Sequence, residues 1–194
     1  MQYRLEVSYP SPKEWIETVI ENFDEFLQDH ADCERKASAM AMSFIAKAPE
    51  RVEIIPQLID TAVEELEHFR DVYAIMQKRN IPLKKEIPPD EYMNKLLSHC
   101  RSGRNDRFLD RMLIASIVET RGAERFRLVA ENIKDVELQQ FYKKLWTSEA
   151  KHGNIFVEMA LNYWTENEIY SRLNELNQIE GNIIKQLPIR PALH

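Results

Sequence analysis

Glu64-Glu65-Leu66-Glu67-His68-Phe69 and Ser148-Glu149-Ala150-Lys151-His152 each contain a Glu-x-x-His, and a lone glutamate precedes each one, Glu34 by 31 residues and Glu119 by 30. In a helical chain that interval is about one helix, one turn and most of a return helix. Equivalent positions in the two copies lie 84 or 85 residues apart, which points to an internal duplication of structure. Residues three apart on a helix share a face, so Glu65 with His68, and Glu149 with His152, can each offer one oxygen and one nitrogen to the same ion.

The flanking residues turn these positions inward. Ser11-Pro12-Lys13-Glu14 has the cap serine, first-turn proline and capping-box glutamate of a helix start. One long helix is expected from there to Pro49, with room for a break near its middle, and it places Glu34 on the stripe of Leu27, Ala31, Ala37 and Ala41. Pro56 opens a second helix reaching Lys78 to Asn80, with Glu65 among Leu58, Ala62, Phe69, Val72 and Met76. Pro82, Pro88 and Pro89 make Ile81 to Asp90 a crossover, followed by a short helix from Glu91 to Cys100 and a loop at Ser102-Gly103-Arg104-Asn105. A third long helix spans Asp106 to Ile133 and carries Glu119 with Met112, Ala115 and Phe126. Asp135 caps a fourth, running to Trp164 with Leu138, Tyr142, Leu145, Glu149, His152 and Phe156 in register. Thr165-Glu166-Asn167-Glu168 is a second capping box and starts a C-terminal helix ending before Pro188. Tyr3 to Ser8 is the sole strand candidate. The expectation is an all-α, four-helix bundle with a crossover connection and extra short helices: one domain over 1–194, its core at about 12–164 and its C-terminal helix at about 166–187.

Composition suits that architecture. The chain has 194 residues, four Gly, 44% hydrophobic and 30% charged residues, as expected of a soluble helical globule. Its apolar runs fall far short of the roughly 20 residues of a membrane span. The N-terminus lacks a signal-peptide pattern, so a cytoplasmic location is expected. Cys33 and Cys100 form no disulfide or zinc pattern. The net charge of −6 argues against a general nucleic-acid binder, although two divalent ions at the six candidate ligands would offset four of those negative charges.

Mixed imidazole and carboxylate ligation suits iron or manganese, and two Glu-x-x-His motifs with two further glutamates are the ligand set of ferritin-like di-iron and di-manganese bundles. With 23 Glu and five His in the chain, chance supplies roughly 0.6 Glu-x-x-His matches; two, each preceded at hairpin distance by an inward glutamate, are a different matter. Glu34, Glu65, His68, Glu119, Glu149 and His152 are therefore the candidate metal ligands and, through the metals, the catalytic residues. Around them, Glu64 and Glu67 face solvent, His30 is a satisfied core histidine, and Cys33, Tyr73, Tyr142 and Trp146 pack. Asp60, Arg121 and the pair Glu124-Arg125 are candidates for orienting the ligand histidines. The basic stretch Arg101, Arg104, Arg107 and Arg111 reads as a salt-bridged helix face or as a set of RNA-phosphate contacts.

Asp29-His30-Ala31-Asp32-Cys33-Glu34-Arg35-Lys36-Ala37, Glu124-Arg125-Phe126 and the two Glu-x-x-His segments resemble the MiaE family of tRNA hydroxylases over about Trp15 to Trp164. The resemblance implies a di-iron, oxygen-dependent monooxygenase that hydroxylates the isopentenyl group of 2-methylthio-N6-isopentenyladenosine in tRNA, with two Fe ions, O2 as co-substrate, an external electron donor and an electron-transfer partner. Two other readings use the same six ligands: a ferritin- or rubrerythrin-like ferroxidase or iron-handling protein, and a non-catalytic, metal-stabilised helical bundle. The lack of a rubredoxin-like Cys-x-x-Cys disfavours the rubrerythrin.

Overall fold

The computed structural model describes residues 5–86 and 89–194, and among these it contains seven helices and no strand: α1 (Lys13–Glu21), α2 (Phe23–Lys47), α3 (Ile55–Lys78), α4 (Glu91–Ser98), α5 (Arg104–Asn132), α6 (Val136–Ala160) and α7 (Glu166–Gln186). Two compact units are formed. One holds α1 as far as Ile20, α4 to α7 and His194; the other holds α2, α3 and Arg190–Leu193.

In the second unit, α2 and α3 are an antiparallel hairpin. Ser38 Oγ donates to Ala62 O at 2.7 Å, while Gln28 Nε2 reaches Pro82 O at 2.7 Å, so position along α2 rises as position along α3 falls. Leu27, Ala31, Ala41 and Phe44 of α2 are buried, as are Leu58, Ala62, Val72 and Met76 of α3. Pro56 sits in the first turn of α3, where its missing N–H costs nothing, and Asn80 at φ 56° ends the helix in the left-handed region that asparagine tolerates.

In the first unit, α5 and α6 are antiparallel. Phe108 stacks on Trp164, Ser116 Oγ donates to Gly153 O, and Phe126 meets Tyr142 with ring centroids 5.6 Å apart. The approach is close at Gly153, where an added Cβ would stand 2.8 Å from Thr120 Oγ1. Helix α7 runs parallel to α5, since Arg172 binds Asp110 and Glu180 binds Arg121. Both α5 carriers are fully buried. Arg121 donates to Glu180 through Nε (2.8 Å) and a terminal nitrogen (2.9 Å), to Tyr9 O (2.8 Å) and to Glu124 (3.1 Å). Burial opposes its charge, but the hydrogen bonds and charge of Glu180 outweigh that and raise its pKa further.

The long first helix is two. Asn22, at φ −125° and ψ 44°, breaks it into α1 and α2; asparagine competes for backbone hydrogen bonds and disfavours helix interiors. The break lies nearer the start than the middle. Ser11 does not serve as the expected cap: its N–H and hydroxyl donate to Glu124, at 2.8 and 2.7 Å, and its hydroxyl oxygen accepts from Arg125 Nε at 3.1 Å and from Arg121 at 3.4 Å. Local capping chemistry loses to part-buried tertiary partners, Glu124 being 113 residues away. Helix α6 ends at Ala160, short of Trp164. Asp135 does cap α6, accepting from Glu137 N and Leu138 N, and the Thr165 capping box is complete. The strand candidate begins outside the described residues; its described part, Leu5 to Ser8, is irregular and is tied to α7 by Asn177, which donates to Glu6 O and accepts Ser8 Oγ on its carbonyl. No described helix is long and apolar enough to cross a membrane.

Candidate metal centre

Each unit carries one half of the doubled pattern. On the α2–α3 hairpin, Glu34 is 4% exposed, Glu65 1%, and the His68 side chain 13%. His68 Nδ1 stands 3.5 Å from Glu65 Oε2 and 3.9 Å from Glu34 Oε2, and one donor atom from each of the three lies within 4.8 Å of the others. The hairpin register sets this up. Ser38 opposite Ala62 puts Glu34, one turn before Ser38, level with Glu65 and His68.

On the α5–α6 pair, Glu119, Glu149 and His152 are 7%, 2% and 1% exposed, and their donor atoms also fall within 4.8 Å of one another. His152 Nδ1 is 3.2 Å from Glu149 Oε2. Gly153 explains the closeness, because Ser116 and Thr120 of α5 press against it. Glu119 lies between those two residues in sequence, next to the imidazole of His152.

The donor chemistry fits a divalent ion in each half. A buried carboxylate is costly unless a cation or strong donors compensate it, and each half gathers two carboxylates around one imidazole. Two oxygens and one nitrogen suit iron or manganese and leave coordination positions for other ligands.

His30 is fully buried and its Nε2 lies 2.6 Å from Glu34 Oε1. A carboxylate only accepts, so the imidazole donates. The contact is an i,i+4 one on α2, and that spacing is the signal that could have shown it in the sequence. Glu64, Glu67 and Asp60 are exposed. Arg121, Glu124 and Arg125, expected as candidates to orient the histidines, are occupied with each other's neighbourhood instead. Arg125 lies over the Trp15 ring at 4.6 Å and donates to Ser11 Oγ; burial, helped by the like charge of Arg121, lowers its pKa to about 10. Tyr142 is core. Cys33 and Cys100 are free thiols; Cys33 Sγ lies 3.7 Å from Asp29.

The basic stretch divides. Arg101 is clamped to the buried Asp110 through its backbone N–H and its guanidinium, and Arg172 shares that acceptor. Arg111 is half-buried, and burial lowers its pKa. Arg104 and Arg107 are exposed at the start of α5. Lys143, Lys144 and Lys151 are exposed on α6.

The profile of the family described as tRNA-(MS2IO6A)-hydroxylase (MiaE) matches residues 4–194. The chain is 32% identical over 176 residues to the tRNA 2-(methylsulfanyl)-N(6)-isopentenyladenosine(37) hydroxylase of Pseudomonas putida, covering 91% of this chain and 85% of that one. It is 34% identical over 132 residues to the Salmonella typhimurium protein of the same name, covering 66% of this chain and 48% of the relative. Among solved structures it resembles a protein with aldehyde deformylating oxygenase activity from Synechococcus, at TM-score 0.91 and 31% identity, over 96% of this chain and 92% of that chain. The fold is an all-α, ferritin-like helical bundle, and with a match running from residue 4 to residue 194 the chain belongs to the MiaE family of tRNA hydroxylases.

Proposed function

We propose that this enzyme hydroxylates the isopentenyl side chain of 2-methylthio-N6-isopentenyladenosine in tRNA, in the cytoplasm, that the two triads would each hold one of two irons, and that the whole chain works as a single domain. The observation that carries the reading is the doubled triad itself: two buried carboxylates beside an imidazole, fully buried for His152 and 13% exposed for His68, on each of two helix pairs, in a chain that matches a hydroxylase family over residues 4–194. Relatives at about a third identity that are named hydroxylases favour this over iron storage.

Glu34, Glu65 and His68 would hold one iron, and Glu119, Glu149 and His152 the other. When bound, the irons supply the activation of O2; one oxygen atom enters a C–H bond of the isopentenyl group and the other leaves as water, with two electrons from an external donor and two protons. The chain's own residues fix the geometry. The α2–α3 register levels Glu34 with His68, Gly153 lets α5 close on His152, and the apolar stripes around the carboxylates keep bulk water out, which protects a reactive oxidant. Arg104 and Arg107, exposed at the start of α5, are the arginines of the basic stretch best placed to meet tRNA phosphates. Arg101 and Arg111 would contribute less, one clamped to Asp110 and the other half-buried.

The test is to incubate iron-loaded protein, a chemical reductant and O2 with tRNA bearing the modified adenosine, then digest it and weigh the nucleosides. A gain of one oxygen on that nucleoside is expected. Rapid iron oxidation without any such gain would overturn the assignment.

A further inference from the structure

The two halves of the doubled pattern differ beside the lone glutamate. Four residues before Glu34 stands His30, fully buried, its Nε2 2.6 Å from Glu34 Oε1 and its ring packed against Phe26 at 5.9 Å between centroids. Four residues before Glu119 stands Ala115, also fully buried, whose side chain has no donor. The duplication that relates Glu34 to Glu119 thus places an imidazole in one half and a methyl group in the other. The oxygens of Glu34 are divided accordingly. Oε1 faces His30, and Oε2 is the one on the His68 side, 3.9 Å from Nδ1.

We propose that His30 is a positioning residue which keeps Glu34 Oε1 on its own N–H, so that Glu34 ligates through Oε2 alone and the two metal positions are inequivalent. The inference rests on the di-iron reading above. A carboxylate that accepts a short hydrogen bond from a fully buried imidazole has one oxygen directed away from the ion, which favours single-oxygen ligation and fixes the rotamer; a glutamate with only an alanine one turn earlier has no such restraint from that position. Partners of this kind, standing behind a ligand, typically change metal affinity by about 10–100-fold when removed. The short contact also explains why α2 tolerates a histidine among Phe26, Leu27 and Ala31, all of them fully buried.

The experiment compares wild type, His30→Leu and His30→Gln. Leucine keeps much of the volume without a donor, and glutamine restores an N–H near the position of Nε2. Each protein is titrated anaerobically with Fe(II), and the ferrous forms are examined by Mössbauer spectroscopy. Wild type is expected to bind two irons in two distinguishable environments. His30→Leu should weaken one of the two binding steps by about 10–100-fold and alter one Mössbauer component, and His30→Gln should recover both features. Thermal unfolding of the metal-free proteins serves as the control for packing. Two irons bound with unchanged affinities and spectra in His30→Leu, or identical behaviour of the Leu and Gln variants, would overturn the proposal while leaving the di-iron reading intact. Fewer than two irons in wild type would sink the di-iron reading itself.

Discussion

Replacing Glu180 by glutamine separates scaffold from site. Glu180 is fully buried and receives Arg121 Nε at 2.8 Å, a second Arg121 nitrogen at 2.9 Å and the Tyr92 hydroxyl at 3.2 Å. Glu180→Gln removes the charge and one of the two acceptor oxygens, so the fully buried Arg121 guanidinium keeps only neutral acceptors (the glutamine oxygen, Tyr9 O and Ser11 Oγ at 3.4 Å) and the charge of Glu124. Breaking a buried pair in this way costs about 3–5 kcal/mol. For a chain of this size each kcal/mol moves Tm by about 2–4 °C, so the melting point should fall by roughly 6–20 °C. The double variant Arg121→Met/Glu180→Leu removes both charges and should regain most of the loss, because apolar replacement of a complete buried pair is often neutral or stabilising. Thermal and urea unfolding followed by circular dichroism, in one buffer and at one protein concentration, gives both numbers. Iron stoichiometry of the double variant is the second readout and should stay at two per chain. A loss below about 1 kcal/mol for Glu180→Gln would refute the scaffold argument; a double variant that is stable yet loses iron would return Arg121 to the metal centre.

Two further outcomes are expected. Asp110 is held below the ordinary carboxylate value of 3.8, since hydrogen bonds from Arg172 and Arg101 outweigh the burial that opposes its charge. A depressed folded-state pKa gives stability that is complete above 3.8 and is lost as pH falls through the lower folded value, so urea unfolding from pH 5 down to pH 2 should show the advantage of wild type over Asp110→Asn shrinking below about pH 4; a constant gap would contradict this. Replacing Arg104 and Arg107 by alanine should weaken tRNA binding for modified and unmodified tRNA alike and reduce the slope of log affinity against log salt by roughly 1 per arginine, measured by filter binding. An unchanged slope removes both from the RNA-contacting surface.

The metal candidates were legible because their signal is periodic and local. Glu34, Glu65, Glu119 and Glu149 each share a helical stripe with alanines, leucines and aromatics, and all four are buried. Caps that need only their own helix, Asp135 and Thr165, were legible for the same reason. What escaped were choices among distant partners. Ser11 has good capping chemistry, but Glu124 offers its hydroxyl a part-buried charged acceptor and Arg125 occupies its oxygen. Arg101 and Arg121 have side chains equally suited to phosphate, carboxylate or carbonyl; Arg101 meets Asp110 through the fold-back of the loop before α5, and the acceptor that Arg121 meets depends on how α7 lies along α5. His30 is the intermediate case, since its partner is one turn away and its spacing was readable, yet a buried histidine beside a glutamate is more often packing than positioning.

The order of charges along α5 and α7 has a directional meaning. Helix α5 presents acid first and base second, Asp110 then Arg121; α7 presents base first and acid second, Arg172 then Glu180. Laid parallel, each charge meets its opposite. Laid antiparallel, Asp110 would face Glu180 and Arg121 would face Arg172, two like-charge encounters in a buried seam. A C-terminal helix with a single apolar stripe could dock either way up; these four residues make one orientation bind and the other repel, so the last helix of the chain carries in its charge sequence the polarity with which it must close the fold.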